Sequence, residues 1–418
     1  MASENQAKLG EVAQIIMGQS PPGYTYNEEG RGTPFFQGVK DFGYRFPTPR
    51  VYCTAPTRVA EPCDILLSVR APIGRINTAT ERCAIGRGLA IIRPKDPDDA
   101  RYIEYVLRDL EPYLRSLEGG GSVFGNAKRS DLETIHLLWP DKLHRMHTAC
   151  ILSSLDDKIE INHRMNATLE AMARVIFKSW FMDFDPVRAK MEGREPAGMN
   201  AETAALFPDE LETVDGQEVP KGWMIGKLGD VAENIRRNIQ SMDIGADTNY
   251  ISLAEMPRKS IALDTWVKAG KIDSNKFQFQ AGEFLFGKLR PYFHKVGVAP
   301  IDGVCSTDIL VIVPKSQILN AFTLAQISSS PFIDFVNQSA TGTKMPRTNW
   351  DTMARYTIVL PSAEVLGAFE RAVGPMLKQI QNNIIQSRTL ATIRDTLLPK
   401  LISGEIRVPD AMLEAAEA

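Results

Sequence analysis

Residues Leu152–Trp180 read LSSLDDKIEINHRMNATLEAMARVIFKSW. Within them Leu152, Leu155, Ile159, Asn162, Asn166, Leu169, Ala173, Ile176 and Trp180 follow one another in unbroken alternating steps of three and four. Such a repeat, averaging 3.5 residues, keeps the seam of a helix turned toward a second helix. The second helix is in the chain itself. The same steps recur in the same phase at Val373, Met376, Ile380, Asn383, Ser387, Leu390, Arg394, Leu397 and Leu401. Each seam spans about four heptads, roughly 43 Å at 1.5 Å per residue. Neither has apolar cover elsewhere in its own helix, so the two are expected to pack on each other. The path globule, helix, linker, globule, helix brings them together antiparallel most simply. Asn162 and Asn383 hold equivalent seam positions, where a polar residue costs stability and fixes register or partner. Arg394 is the misfit, facing the seam where the first repeat has Ala173. Either it snorkels to the edge or the register shifts locally.

Outward from the helices, the rest of the chain also reads twice. Lys8-Leu9-Gly10-Glu11-Val12-Ala13 recurs as Lys227-Leu228-Gly229-Asp230-Val231-Ala232. Asp64-Ile65-Leu66-Leu67, then Arg70, is echoed by Glu283-Phe284-Leu285-Phe286, then Arg290. Ile135 to Leu138, Trp139 and Pro140 match Tyr356 to Val359, Leu360 and Pro361. The offset drifts only from 219 to 221. A duplicated unit with pseudo-twofold symmetry follows. Each globule carries short apolar runs bounded by Gly and Pro, which read as strands: Asp64 to Val69, Leu89 to Ile92, Phe284 to Phe286 and Asp308 to Val313. Helical patches lie between, at Ala100 to Leu117 and Asn320 to Asn337. The expected fold is a mixed α/β (α+β) chain, with two pseudo-repeated globules joined by two long antiparallel helices forming a coiled coil. The expected boundaries are a first globule 1–142, a helix 143–185, an acidic linker 186–222, a second globule 223–362, a helix 363–403 and an acidic tail 404–418.

Composition agrees with a globular protein and excludes several classes. The 418 residues are 44% hydrophobic and 24% charged, neither disordered nor collagen-like. The longest apolar runs, such as Ile309 to Val313, are too short to span a bilayer, and Met1 to Gly10 is too polar for a signal peptide. Five scattered cysteines with no CxxC pair suggest neither a disulfide framework nor a zinc ribbon, so the cytoplasm is the expected compartment. The formal charge of −3 is uneven. Residues 191–222 hold eight acids against two bases, and 405–418 four acids against one. Residues 223–404 hold 20 bases against 15 acids. Mildly basic bodies between acidic segments are compatible with a nucleic-acid partner.

Catalytic motifs fail one by one. Ser20-Pro21-Pro22-Gly23-Tyr24 approaches the Pro-Pro-Tyr loop of amino-methyltransferases, but Gly23 intervenes and no cofactor glycines accompany it. Gly119 to Gly125 lacks the Lys-[Ser/Thr] of a phosphate loop. His144 and His147 share a helical face without a third ligand. Asp183-Phe184-Asp185 precedes Pro186 and reads as a helix stop rather than a metal site. The expectation is a chain without catalytic or metal residues of its own. What remains is a binding pattern. Tyr44, Phe46 and Tyr52 interleave with Arg45, Arg50 and Arg58; Lys288, Arg290, Tyr292, His294 and Lys295 follow an apolar strand. Lys128 and Arg129, like Lys344 and Arg347, follow glycines at matched places. Arginine contacts guanine edges and phosphates, and hydroxyl and aromatic groups contact sugar and base edges. The candidate DNA contacts are therefore Arg45, Arg50, Arg70, Arg75, Lys128, Arg129, Lys288, Arg290, Tyr292, Lys344 and Arg347, with Asn162 and Asn383 setting helix register.

Taken together, these features resemble the specificity subunit of type I restriction-modification systems, over essentially the whole chain. Phe177-Lys178-Ser179-Trp180-Phe181-Met182-Asp183-Phe184-Asp185-Pro186-Val187 is similar to that family's first helix end, and Ala204 to Pro208 with Pro220-Lys221-Gly222-Trp223 to its inter-repeat linker. Thr341-Gly342-Thr343, Leu360-Pro361 and Leu398 to Ile406 are similar to its second recognition domain and closing helix. The resemblance implies two target recognition domains, each reading half of a split double-stranded DNA site. It implies helices that hold those domains apart and bind two modification subunits. Those subunits would use S-adenosylmethionine to methylate adenine; two restriction subunits using ATP and Mg2+ could join. Two other readings stay open. A methyltransferase or fused restriction enzyme would bind S-adenosylmethionine by itself; a coiled-coil scaffold would bind no duplex at any salt. Because Phe35 to Thr57 and Arg236 to Trp266 show little kinship, the DNA site is expected to be asymmetric.

Overall fold

The computed structural model describes residues 6–116, 126–342 and 344–407. The glycine-rich stretch 119–125 and most of the acidic tail lie outside them. Two compact units form, Met1–Glu160 with Thr389–Ala418, and Ile161–Arg388. The division falls within the long helices, so each unit contains one globule and a segment of both helices.

In the first unit four antiparallel strands, β1 (Ala13–Met17), β2 (Ile65–Ser68), β3 (Ile76–Thr78) and β4 (Leu89–Pro94), lie in the order β1-β4-β2-β3. In the second unit β5 (Ala232–Ile235), β6 (Phe284–Gly287), β7 (Val296–Val298) and β8 (Ile309–Pro314) repeat it as β5-β8-β6-β7. These central strands are apolar at nearly every position because both faces are covered. Ile65, Leu67, Ala90 and Ile92 pack against Tyr102, Ile103 and Val106 of a helix. The alternate residues Leu66, Leu89 and Ile91 pack against Phe36 and Ile85 of a second sheet. In the second unit Phe284, Phe286 and Ile312 meet Phe322 and Phe332, while Leu285, Ile309 and Val311 meet Ile251 and Cys305.

The second sheet has a shared core and a private edge. Thr33–Phe36 pairs antiparallel with Tyr52–Cys53 and parallel with Cys83–Ile85, which pairs antiparallel with Val59–Ala60. Asn249–Ile251, Val267–Lys268, Gly303–Cys305 and Lys276–Phe279 reproduce these pairings. The fifth strand differs: Tyr26–Asn27 adds beside Tyr52–Cys53, whereas Arg237–Ile239 adds at the opposite edge, beside Lys276–Phe279.

Both helical patches are divided in two. Ala100–Asp109 and Glu111–Ser116 replace the single expected helix, with Pro112 in the first turn of the latter. Asn320–Ile327 and Ser330–Gln338 do likewise, with Pro331 in the first turn and the Ser329 hydroxyl accepting the Phe332 N–H. Proline lacks an N–H, so it begins a helix more readily than it continues one.

The long helices span Lys142–Phe181 and Ala363–Ser403. Every residue of both seams is buried or half-buried. The helix segments run antiparallel within each unit. In the first unit His144 Nε2 lies 2.8 Å from the Leu401 carbonyl, and Arg394 donates to Asp156 at 2.6 Å. In the second unit Asn162 donates to Ser387 at 3.1 Å, and Asn383 to Asn166 at 2.8 Å. The first helix ends at Phe181, short of the expected 185. Phe184 is left-handed at φ 55°, and Asp185–Met191 begins anew with Pro186 in its first turn. Residues 186–222 are not a loose tether. They include the helix Ala201–Ala205 and a hairpin of Leu211–Val214 with Gln217–Pro220. Phe207 is buried 5.1 Å from the Trp180 ring and 6.2 Å from Trp223. No helix among the described residues is long and apolar enough to cross a membrane.

Candidate nucleic-acid interface

The structure removes Arg45 from solvent altogether. Its side chain is 0% exposed, its guanidinium pairs with Asp157, and its Nε lies 3.9 Å from Glu104. Beside it the Tyr44 hydroxyl donates to Asp156 Oδ1 at 2.9 Å. Asp156 also accepts from Tyr105 at 2.8 Å, Arg394 at 2.6 Å and Arg108 at 3.4 Å. The Gly43–Phe46 loop therefore fastens the first globule to both helix segments and cannot offer Arg45 to DNA. Burial pushes the Asp156 carboxyl up, but the Arg108 and Arg394 guanidiniums outweigh it and hold the carboxyl below the usual aspartate range. Arg394 thus neither snorkels nor shifts the register; a buried acid on the neighbouring helix receives it. The equivalent positions of the other repeat hold Leu377 and Ala173, an apolar pair in the second unit's core. There the globule is fastened by Glu170, which accepts from Ser260 Oγ at 2.7 Å and Ala262 N–H at 3.1 Å.

Most of the remaining candidates gather where three chain segments meet, in the same way in each unit. In the first, the Val69 N–H donates to the Gly88 carbonyl at 2.9 Å, and the Ala127 N–H to the Val69 carbonyl at 3.0 Å. Arg70 forms an isolated bridge with Asn126. In the second, the Lys288 N–H donates to the Asp308 carbonyl at 2.9 Å, and the Thr348 N–H to the Lys288 carbonyl at 3.0 Å. Leu289 bridges Arg347. Strand exit, turn and pre-helix loop thus share their connectivity, while the side chains they carry differ.

In the first unit this junction brings together exposed Arg70 and Lys128, with Arg129 alongside and paired to Glu133 at 2.7 Å. Arg75 lies just before the following strand, 3.7 Å from Glu111. Arg50 stands apart, held by Asp41 and Glu28 at 3.0 Å each. Arg87, exposed in the same turn, was not singled out by sequence. Its signal was the flanking Gly86 and Gly88: a Cβ at Gly88 would sit 2.2 Å from the Gln37 carbonyl oxygen. In the second unit Lys288, Arg290, Lys344 and Arg347 surround one junction. The Arg290 N–H donates to the Pro346 carbonyl at 2.8 Å, and Arg347 reaches Asp308 at 3.5 Å. Tyr292 is 48% exposed, its ring centroid 4.7 Å from that of Phe293. His294 and Lys295 turn inward instead, to the carbonyls of Ser328 and Leu253.

Asn162 and Asn383 form one polar layer without touching each other. Asn162 donates to Gln386 and Ser387; Asn383 donates to Asn166 and accepts from Gln379. Asn383→Leu alone leaves the buried Asn166 amide without its partner and is expected to cost about 1–3 kcal/mol. Asn166→Leu combined with Asn383→Leu removes both polar groups and should return stability close to the starting value. Urea unfolding of the three proteins checks this.

Two unlike basic surfaces on a duplicated α/β frame, each tied to antiparallel helix segments, define a two-part recognition protein. A family model for the type I restriction modification DNA specificity domain matches twice, at residues 4–171 and 220–393. The chain belongs to that family: it is a type I restriction-modification specificity subunit, which recognises the DNA target while catalysis lies in partner subunits. It is 28% identical to the type I restriction enzyme MjaIX specificity subunit of Methanocaldococcus jannaschii, over 88% of this chain and 83% of that one. It is also 28% identical to the HindI specificity subunit of Haemophilus influenzae, over 73% and 76% of the two chains. The crystal structure of a type I S subunit from M. genitalium shares the fold, with a TM-score of 0.58 at 13% identity over 96% and 97% of the chains.

Proposed function

We propose that each unit reads one half of a split, asymmetric DNA site through the junction described above. The carrying observation is that matched backbone connectivity presents different groups: Arg70, Arg87 and Lys128 in one unit, Lys288, Asp308 and Arg347 in the other. Unlike side chains in matched positions select unlike base edges. Arg75, Arg129, Arg290, Tyr292 and Lys344 flank the two junctions and complete the contact set. Two modification subunits, supplied with S-adenosylmethionine, would methylate adenine in the site. Two restriction subunits would join them with ATP and Mg2+.

Methylome sequencing of cells carrying this chain and its modification partner tests the reading. A bipartite motif with unlike halves is expected; a palindromic or continuous motif refutes it. The small basic surplus neutralises few phosphates, so the isolated chain should bind duplex weakly and the modification subunit should tighten it sharply. Equal gel-shift affinity with and without that subunit counts against the division of labour.

A further inference from the structure

In the second unit a cavity of about 280 Å³ opens between the first long helix and the globule. Its floor is apolar: Ala173, Phe177, Val296, Leu324 and Val373 are all buried. It is a half-open cleft that approaches the size and lining of small-ligand sites. The mouth is cationic. Arg174, Lys178 and Lys259 line it, and Lys178 is already paired with Asp183. Arg174 and Lys259 make no ion pair among the described residues. Lys259 is held at the rim in a left-handed conformation, φ 57°, by its N–H donating to the His294 carbonyl at 2.9 Å. Glu170, the acid of the lining, is turned into the Ser260–Ala262 loop. Burial lowers the His294 pKa, and Lys259 and Arg174 lower it further, against the Ser328 carbonyl and Asp334, which raise it.

The first unit has a cavity at the matching place, but its chemistry is different. Arg394, Asp395 and Leu398 stand there where the second unit has Ala173, Arg174 and Phe177, and Arg75, Arg108 and Arg115 also line it. A partner protein present in two copies would select like chemistry at both places. Of these two cavities, the apolar floor with an unpaired cationic rim is that of the second unit, and it suits a small ligand. We propose that this cavity binds a small amphipathic anion, a short alkyl or aryl chain bearing one carboxylate or sulfonate. The chain lies among Phe177, Leu324 and Val373; the head group meets Arg174 and Lys259. The ligand would bridge globule and helix, and so stiffen that joint.

The test titrates the full chain with 8-anilinonaphthalene-1-sulfonate and then displaces it with octanoate, octylamine or 1-octanol. One saturable site is expected, displaced by octanoate at least tenfold more effectively than by octylamine or 1-octanol. Ala173→Phe fills the floor and should abolish binding. Lys259→Glu lies at the rim, keeps the fold, and should weaken octanoate at least tenfold. The proposal is overturned if no dye binds, if the amine or alcohol competes as well as octanoate, or if Lys259→Glu binds octanoate like the parent. No DNA or partner subunit is present, so failure here leaves the DNA-reading proposal standing.

Discussion

Asp156→Ala is expected to lower the unfolding midpoint of the first unit by on the order of 10 °C. The substitution takes the buried carboxylate from Arg394, 13% exposed, leaving it only the exposed Asp395, and removes an acceptor of Tyr44 and Tyr105. Removing one member of a buried ion pair typically costs about 3–5 kcal/mol, because the remaining charge stays desolvated. The double substitution Asp156→Leu with Arg394→Ala copies the Leu377 and Ala173 pair of the second unit. It should recover a large part of the loss, though not all, since Tyr105 still loses its Asp156 acceptor and Arg108 keeps Glu104 alone. Acid should act in the same direction. The folded carboxyl is depressed below its unfolded value near 4, so its stabilisation is present above about pH 4 and is lost as pH falls through the folded value. Calorimetry across pH 2–7 should show the parent losing stability in that acid window and the Asp156→Leu/Arg394→Ala protein losing less.

On the DNA side, replacing Lys288, Lys344 and Arg347 together with Ala should weaken binding by the complex with modification subunits by roughly 10²-fold near 0.1 M salt. A lost phosphate contact removes about 0.9 from the slope of log affinity against log salt, so the loss of Lys344, which flanks the junction, should flatten it by about that much, while the loss of Lys288 and Arg347 should relax base choice in that half-site. Arg45→Ala gives the opposite signature. It opens a buried ion pair, so stability falls while the salt slope stays as it was. A flattened slope for Arg45→Ala, or an unchanged one for the triple substitution, would reverse the assignment made from burial.

The helices were legible because their signal is local: a step averaging 3.5 residues is written in the sequence whatever the tertiary context. The repeat was legible for the same reason, as Leu9 with Leu228 and Leu66 with Leu285 recur at a nearly fixed offset. Arg45 was misread because sequence shows charge but not burial. Its partners Glu104 and Asp157 belong to later helices, far along the chain, and nothing local announces them. Arg394 stands out as a misfit for the same reason, since its partner Asp156 lies one position off the seam of the other helix, far along the chain. Arg87 was missed because its exposure depends on a turn whose glycines are tight against Phe35 and Gln37, distant in sequence. The unlike edge strands, Tyr26–Asn27 and Arg237–Ile239, were beyond reach, because strand pairing is set by partners distant in sequence.

The polar layer and the ion pair differ in what they permit between copies. The repeat carries Asn162 to Asn383 and Asn166 to Ser387, so the layer maps onto itself. Two copies of the first half could mate isologously, Asn162 of one meeting Asn166 of the other. Asp156 and Arg394 allow no such exchange. Two first halves would set each Asp156 against Ala173, and two second halves each Arg394 against Leu377, leaving desolvated charge on every seam. Asp156 and Arg394 are thus an opposite-charge pair by which each half accepts its sibling and refuses its twin.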